Sequence, residues 1–594
     1  MKPIIFFLIF LTSIFCYKNE KIADKFLNAE QMKEIEILIN NYFKQNQKVL
    51  DDYFKLKIPN SDVCDSCQNF VDILQITLLK KYGVEGVYEG ATLLCSLFLR
   101  KDVCYGAITK YGPYLLDSLI KKYVDKYTVC NAINLCNTTI NYIDIEKYAE
   151  NILKDKPERK VPEINETADV IKVLQVSDIH LDPNYKEGAI ANCDIPLCCR
   201  DMPQKNDKSN YILAGKYGYI GKCDCNVETV EAFSQEASKL KPDFILFTGD
   251  NIAHNVWEDT QEEVVEATKI QIDIMKKYFK DVPIYPALGN HEKAPVDEFY
   301  GPESVLLNGV ADIFKEYLTE EAEETFRKYG FYTLLHKNTN LRIISLNCII
   351  CDTMNFNLIF DASQAKFQFD WLENVLNNAE KNGEIVYIQD HIPIGSHQHT
   401  YQCSYRMKIL MDRYQNIIRG YFSGHSHSEY LTIVTEYYNQ NKPIQIDYVA
   451  SGLTTYSQYQ PSYRLYLVDS DTKLIKDFIQ YRMNLSESNR LREPIWYISY
   501  NATKLFGVKY LNDIEGVYNF KMNPEYIIKK YTDTEEGYEQ SKKQSIIDDE
   551  VCSFKNDLYE DYFKCSNKWV IFNPTSLLTK SLNYLMGKWK EDNN

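Results

Sequence analysis

The spacing of apolar residues changes several times along this chain, and each change marks a boundary. After Lys2 an apolar run extends from Ile4 to Phe15 and then gives way to polar residues. It is shorter than the roughly 20 residues that cross a bilayer. Its charge and length are those of a secretory signal peptide, so residues 1–16 are expected to be removed on export. Residues 17–59 are polar and read as an N-terminal helical extension. From Asn60 to Ile140 apolar side chains recur at helical spacing, in Phe70, Ile73, Leu74 and Leu78 and again in Leu93, Leu94, Leu97 and Phe98. Gly83, Gly86, Gly90 and Gly112-Pro113 punctuate these helices. Residues 141–167, with Pro157, Pro162 and the charged run Lys154 to Lys160, read as a linker.

From residue 168 to 471 the pattern becomes α/β. Short, nearly continuous apolar runs alternate with amphipathic segments such as Val227–Leu240 and Glu262–Phe279. Continuous runs predict strands buried on both faces. Residues 472–594 are rich in Tyr, Lys and Asn, and a small helical C-terminal region is expected there.

Composition sharpens this picture in two ways. The chain has 17 cysteines, and 16 remain once Cys16 leaves with the signal. An even count after an export signal points to disulfides, and the sequons at Asn137, Asn165, Asn484 and Asn501 fit glycosylation on the same route. The formal net charge of −16 leaves no basic excess for phosphate backbones, which excludes nucleic acid as the partner. A soluble, monomeric, secreted or lysosomal protein is expected.

The chemistry lies where the apolar runs stop. The runs end in Ser177-Asp178-Ile179-His180, Gly249-Asp250, Gly289-Asn290-His291-Glu292, Asp390-His391 and Gly424-His425-Ser426-His427. Loops at the carboxyl ends of buried strands are where α/β proteins place ligands. Imidazole and carboxylate suit zinc, iron and manganese, and one carboxylate can bridge two ions. Six of the nine histidines fall in or beside these motifs, namely His180, His254, His291, His391, His425 and His427. His397 and His399 read as loop residues.

The order DxH, GDxxxH, GNHE, H and GHxH resembles the calcineurin-like metallophosphoesterases. The segments Asp178–Tyr185, Gly249–Trp257, Thr454-Thr455-Tyr456 and Pro461-Ser462-Tyr463-Arg464 look like their sphingomyelinase branch. The resemblance implies a β-sandwich flanked by helices, in the α/β class, with two divalent ions, zinc foremost. It implies that Asp178, His180, Asp250 and His427 hold one ion. Asp250, Asn290, His391 and His425 would hold the other. A water between the ions, its pKa lowered toward ~7, would attack phosphorus in line. His254 and His291 would serve as general acid and phosphate clamp. A protonated imidazole near its ordinary pKa of ~6.5 fits both roles and implies an acidic optimum. Glu292 orients a histidine from behind in this reading, or is an ordinary surface residue. Asp390 and Ile394 stand where the family has a small residue and a proline.

The six cysteines Cys64, Cys67, Cys95, Cys104, Cys130 and Cys136 allow 15 connectivities. Their segment, residues 60–140, resembles an all-α saposin B-type domain. That implies Cys64–Cys136, Cys67–Cys130 and Cys95–Cys104, and a lipid substrate engaged through amphipathic helices. The same comparison implies Cys193–Cys198, Cys199–Cys223, Cys348–Cys403 and Cys552–Cys565, with Cys225 and Cys351 left over. The activity implied is hydrolysis of sphingomyelin to ceramide and phosphocholine. A soluble phosphodiesterase for nucleotides or other small phosphodiesters, and a lipid carrier with a decayed site, are the alternatives. The complete ligand set speaks against the carrier.

Overall fold

The computed structural model describes residues 99–121 and 143–520, apart from 205–209, 302–303, 360, 362, 397 and 457–458. Positions 88, 92, 95, 96, 552, 554, 557 and 558 are also described. The chain divides into two compact units, residues 1–140 with 567–594, and residues 141–566. In the first, helix α1 (Lys101–Lys121) buries Val103, Cys104, Ile108 and Tyr111 along one stripe. Cys104 is bonded to Cys95. The expected pairs Cys64–Cys136 and Cys67–Cys130, the sequon at Asn137 and the signal segment lie outside the described residues.

The second unit is built on two six-stranded sheets. The first carries β1 (Val170–Val176), β2 (Phe244–Phe247) and β3 (Ile284–Pro286), which run parallel. The second carries β4 (Tyr332–Leu335), β5 (Leu341–Ser345), β6 (Ile385–Gln389), β7 (Ile418–Ser423), β8 (Tyr430–Thr435) and β9 (Pro443–Val449). Strands β5, β6, β7 and β9 are parallel neighbours, and β4 and β8 are antiparallel edges. The first sheet is completed by β10 (Ser462–Asp469), β11 (Ile475–Met483) and β12 (Trp496–Asn501), in the order β12-β11-β10-β1-β2-β3.

The sheets meet face to face through aromatic rings. Phe422 of β7 packs on Tyr466 of β10 with centroids 5.1 Å apart, and Tyr448 of β9 lies 5.5 Å from the same ring. A polar seam closes the strand ends. Gln175 Nε2 donates to the Ser423 carbonyl at 2.9 Å, and Gln389 Nε2 donates to that of Pro286 at 3.0 Å. Burying these amides unpaired would cost a few kcal/mol, so the seam holds the two sheets in one register. Helix α2 (Ile145–Leu153) precedes this unit's strands, and helices α3 (Val227–Ser238) and α4 (Gln261–Phe279) follow β1 and β2. Asn226 caps α3, and Thr260 with Glu263 forms a capping box on α4. Further along, α5 (Ser363–Asn382) and α6 (Tyr401–Arg413) bury Leu372, Leu376, Met407 and Leu410 against the outer face of the second sheet.

Three expectations need correction. The segment read as a linker is anchored. It contains α2, and Lys156 Nζ reaches Asp412 Oδ1 at 2.6 Å and Glu436 Oε1 at 2.8 Å. The segment read as a C-terminal helical region from residue 472 opens with β11 and β12, two strands of the first sheet. Gln480 and Arg482 occupy the inward positions of β11 and are fully buried, so the strand lacks apolar alternation. Arg482 is paired with the buried Glu429. Cys403 is bonded to Cys351, not to Cys348. A 3-10 turn over Cys348–Cys351 separates the two thiols. Cys351 joins the core beneath α6, whereas Cys348 packs in the inter-sheet core, buried and free. Cys225 is also buried and free. Cys193–Cys198 and Cys199–Cys223 are formed. Cys552 is disulfide-bonded, and its expected partner Cys565 lies outside the described residues.

One buried carboxyl sets a pH dependence. Asp447 on β9 accepts Ser423 Oγ at 2.6 Å and the Ile394 N–H at 2.9 Å. Burial pushes it up to about 7. The unfolded chain releases this proton near pH ~3.9, so between about pH 4 and 7 the native state binds more protons. The contribution of Asp447 to stability is therefore full below pH 4 and lost as pH rises through 7. Asp447→Asn is expected to melt increasingly above wild type as pH rises from 5 to 8. Parallel melting curves across that range would contradict this.

Candidate metal centre

The five motifs converge at the carboxyl ends of the parallel strands. Asp178 and His180 follow β1, Asp250 follows β2, Asn290 follows β3, His391 follows β6, and His425 and His427 follow β7. Five of these residues hold positive φ: Asp178 at 48°, His180 at 46°, Asp250 at 63°, His425 at 69° and His427 at 57°. The left-handed region is costly for a side chain with a Cβ. Here it turns each chain back so that its side chain points over the strand ends. Two glycines permit the crowding behind them. Gly249 has φ +90°, and a Cβ there would lie 2.4 Å from Gly289 N. A Cβ on Gly424 would lie 1.9 Å from Ser177 Oγ and 2.6 Å from Asp178 Oδ2.

Two ligand groups share one carboxylate, and a third set, His180, His254 and His427, overlaps the first. Ligand atoms of Asp178, His180, Asp250 and His427 lie within 4.8 Å of one another, and so do those of Asp250, His391 and His425. Asp250 Oδ2 is 3.3 Å from His180 Nε2 and 3.0 Å from His391 Nε2. Asn290 Oδ1 joins the second group, 3.1 Å from His425 Nδ1.

Surrounding groups fix the ligands. His180 Nδ1 donates to the Ile252 carbonyl at 2.8 Å and His391 Nδ1 to that of Thr248 at 2.6 Å, so both Nε2 atoms face inward. Asn290 Nδ2 donates to Asp297 Oδ1 at 2.8 Å, which turns its oxygen to the centre. Glu292 is fully buried and accepts the Asp250 N–H at 2.9 Å and the Asn251 N–H at 2.6 Å. It is a support of the Asp250 loop and not a surface residue. Asp390 accepts the His391 N–H at 2.8 Å and Tyr421 Oη at 3.0 Å. It braces the His391 loop from behind. Asp224, Asp297 and Gln398 carry no motif in the sequence and were not expected here. His399 is buried in the loop where it was placed, and His397 lies outside the described residues.

The residues fit divalent cations. Asp178 Oδ1 and His391 Nε2 are buried without a hydrogen-bond partner. His180 Nε2 and His427 Nε2 face each other at 3.1 Å. A cation in each half of the centre would satisfy these four atoms, one at Asp178, His180 and His427 and the other at His391. The electrostatics agree. Burial opposes protonation of His180 and His391, yet Asp250 beside them raises the first to about 9 and the second to about 10. Protons there stand in for ions, which would displace them on binding.

His254 and His291 stand at the rim of this cluster, with ring centroids 3.9 Å and 4.8 Å from His180. Burial holds both well below the ordinary imidazole value, reinforced by charge on neighbouring histidines. The expectation that both rest near their ordinary pKa is not met, and the acidic optimum loses that support.

Residues 171–429 match the calcineurin-like phosphoesterase family. Fold and site together define a metal-dependent phosphodiester hydrolase of that class. Sphingomyelin phosphodiesterase A of Dictyostelium discoideum is 31% identical over 480 residues, 75% of this chain and 80% of that protein. Sphingomyelin phosphodiesterase B of the same organism is 29% identical over 548 residues, 87% of this chain and 84% of its own length. The cyclic GMP-AMP phosphodiesterase SMPDL3A of Homo sapiens is 31% identical over 356 residues, 56% of this chain and 75% of its own length. The chain belongs to the sphingomyelin phosphodiesterase family.

Proposed function

We propose that this protein hydrolyses sphingomyelin to ceramide and phosphocholine, using two zinc ions and a saposin-type domain that engages the membrane. The observation that carries the chemistry is the meeting of two ligand groups at Asp250. In this reading Asp178, His180, Asp250 and His427 hold one ion, and Asp250, Asn290, His391 and His425 hold the other. Bound ions supply Lewis acidity, lowering the pKa of water toward ~7 and neutralising charge on the phosphoryl oxygens. His291 and His254 face the phosphoryl group and the leaving oxygen. The substrate assignment rests on relatives named sphingomyelin phosphodiesterase that align over most of this chain. The disulfides of the catalytic unit fit an exported protein, secreted or lysosomal, and a monomer suffices for the site. No helix among the described residues is long and apolar enough to cross a membrane.

The test compares sphingomyelin in vesicles with a soluble phosphodiester, for the whole chain and for a deletion of residues 60–140. A two-chain lipid is held in the bilayer by ~0.8 kcal/mol per buried CH₂, so lifting it out needs an apolar surface beside the active site. The deletion is expected to abolish turnover on vesicles more than on the soluble ester, with detergent restoring part of the loss. Equal loss on both in a folded variant would assign the segment to scaffolding. No loss on vesicles would favour a soluble substrate, as in the relative named for cyclic GMP-AMP.

A further inference from the structure

Six of the seven proposed ligands are buried, and His425 is the half-exposed one. Packing alone does not fix a ring that solvent reaches, so the groups at its two nitrogens decide where it points. Its Nδ1 lies 3.1 Å from Asn290 Oδ1, and its Nε2 lies 2.5 Å from Gln398 Oε1. An amide oxygen only accepts, so Nε2 carries the hydrogen and Nδ1 keeps its lone pair. Nδ1 and the Asn290 oxygen are then two electron-pair donors side by side, an arrangement that a cation satisfies. Gln398 is itself held. It lies between β6 and α6, and its carbonyl accepts the Thr353 N–H at 2.7 Å. The Thr400 N–H donates to the Cys351 carbonyl at 2.8 Å, and the Cys351–Cys403 disulfide closes the same join. The amide therefore reaches His425 from a backbone tied to the loop after β5. The other ligands are fixed differently. The carbonyls of Ile252 and Thr248, on either side of Asp250, orient His180 and His391. At His425 the orienting oxygen belongs to a side chain on a separate loop.

We propose that Gln398 is the positioning residue that presents His425 Nδ1 to the ion of the Asn290 half, so that the loop between β6 and α6 sets the affinity of this ion apart from that of its neighbour; the proposal rests on the ligand sets proposed above. Without the amide the ring is free to turn, and ordering it again costs free energy at the moment of binding. Losing such an outer partner lowers metal affinity by roughly 10- to 100-fold. The Asp178 half is built from Asp178, His180, Asp250 and His427, whose orientation comes from other groups. Its ion therefore keeps its affinity when Gln398 is changed.

Zinc affinity of the full chain, read without substrate by competition with a chromogenic chelator, tests this. Gln398→Leu keeps most of the bulk of the side chain and removes the acceptor. It is expected to weaken one zinc roughly 10- to 100-fold and to leave the other unchanged. Gln398→Glu keeps an acceptor oxygen at the same reach and should bind both ions at least as tightly as wild type. In a His427→Ala background Gln398→Leu should still weaken the remaining ion, whereas in a His425→Ala background it should add nothing. Such a cycle ties the effect to the one contact. The half-exposed side chain should also leave the melting of the metal-free protein at its wild-type value. Gln398→Ala takes the place of Gln398→Leu should the latter fold poorly. Equal weakening of both ions, or weakening that persists without His425, would make Gln398 a scaffold of the loop and overturn the proposal. Wild-type affinity for both ions in Gln398→Leu would overturn it as well, and in each case the two-ion reading stands. Wild-type binding of a single zinc would instead sink that reading, and the response of this ion to Gln398→Leu would still decide the role of Gln398. A chain that binds no zinc would sink both.

Discussion

Asp250→Asn is expected to lower turnover roughly a thousandfold or more, since metal ions contribute several kcal/mol of transition-state stabilisation. It should also release ions from both halves of the centre together. Asp250 is the one residue common to both ligand groups, and its Oδ2 stands 3.3 Å from His180 Nε2 and 3.0 Å from His391 Nε2. A neutral amide cannot bridge two cations, and it would turn an N–H toward one of them. Asn also keeps the size of the side chain, so Glu292 still caps the loop through backbone N–H groups. By contrast, His427→Ala should empty the Asp178 half selectively and His425→Ala the Asn290 half. Metal analysis after gentle purification is the measurement. Two ions per chain retained in Asp250→Asn, or full activity with a single ion in the wild type, would discard the shared-carboxylate scheme.

His254→Ala and His291→Ala are expected to lower turnover by about 100- to 10,000-fold each while leaving metal content near wild type. Both rings lie within van der Waals reach of His180, yet neither belongs to the four-residue group of Asp178, His180, Asp250 and His427, and His254 shares only a smaller set with His180 and His427. His254 also fills the space between Tyr456 and His180. Its removal should therefore cost some stability, which thermal melting would register apart from kcat. Unchanged turnover in both variants would refute the assigned roles. Loss of an ion as the main effect would reassign the altered histidine as a ligand.

Much of this centre is legible in the sequence because its chemistry is local. Each candidate ligand follows a short buried strand by two to four residues, and a glycine or a small polar residue marks the turn. The apolar runs ending at Asp178, Asp250, Asn290, His391 and His425 announce both the strands and the place where their side chains emerge. The cysteine count and the leading apolar stretch likewise depend on composition and order alone. What surrounds the ligands is a different matter. Asp224 reaches His254 across 30 residues and is braced by Thr454 from 230 residues away, contacts that no spacing rule anticipates.

Tertiary structure decided three further points, each for a physical reason. It placed β11 in the first sheet although Gln480 and Arg482 face inward, because buried Glu429 and Ser451 pair with them where apolar partners would otherwise be required. It joined Cys403 to Cys351 because one tight turn points Cys351 toward α6 and Cys348 toward the inter-sheet core. It moved His254 and His291 away from their ordinary pKa, since burial among other histidines depends on the whole packed cluster. Periodicity along a chain reports how deeply a residue is buried. Which residue it meets there depends on the register of two sheets and the direction of each turn, and these are set only when the chain has packed.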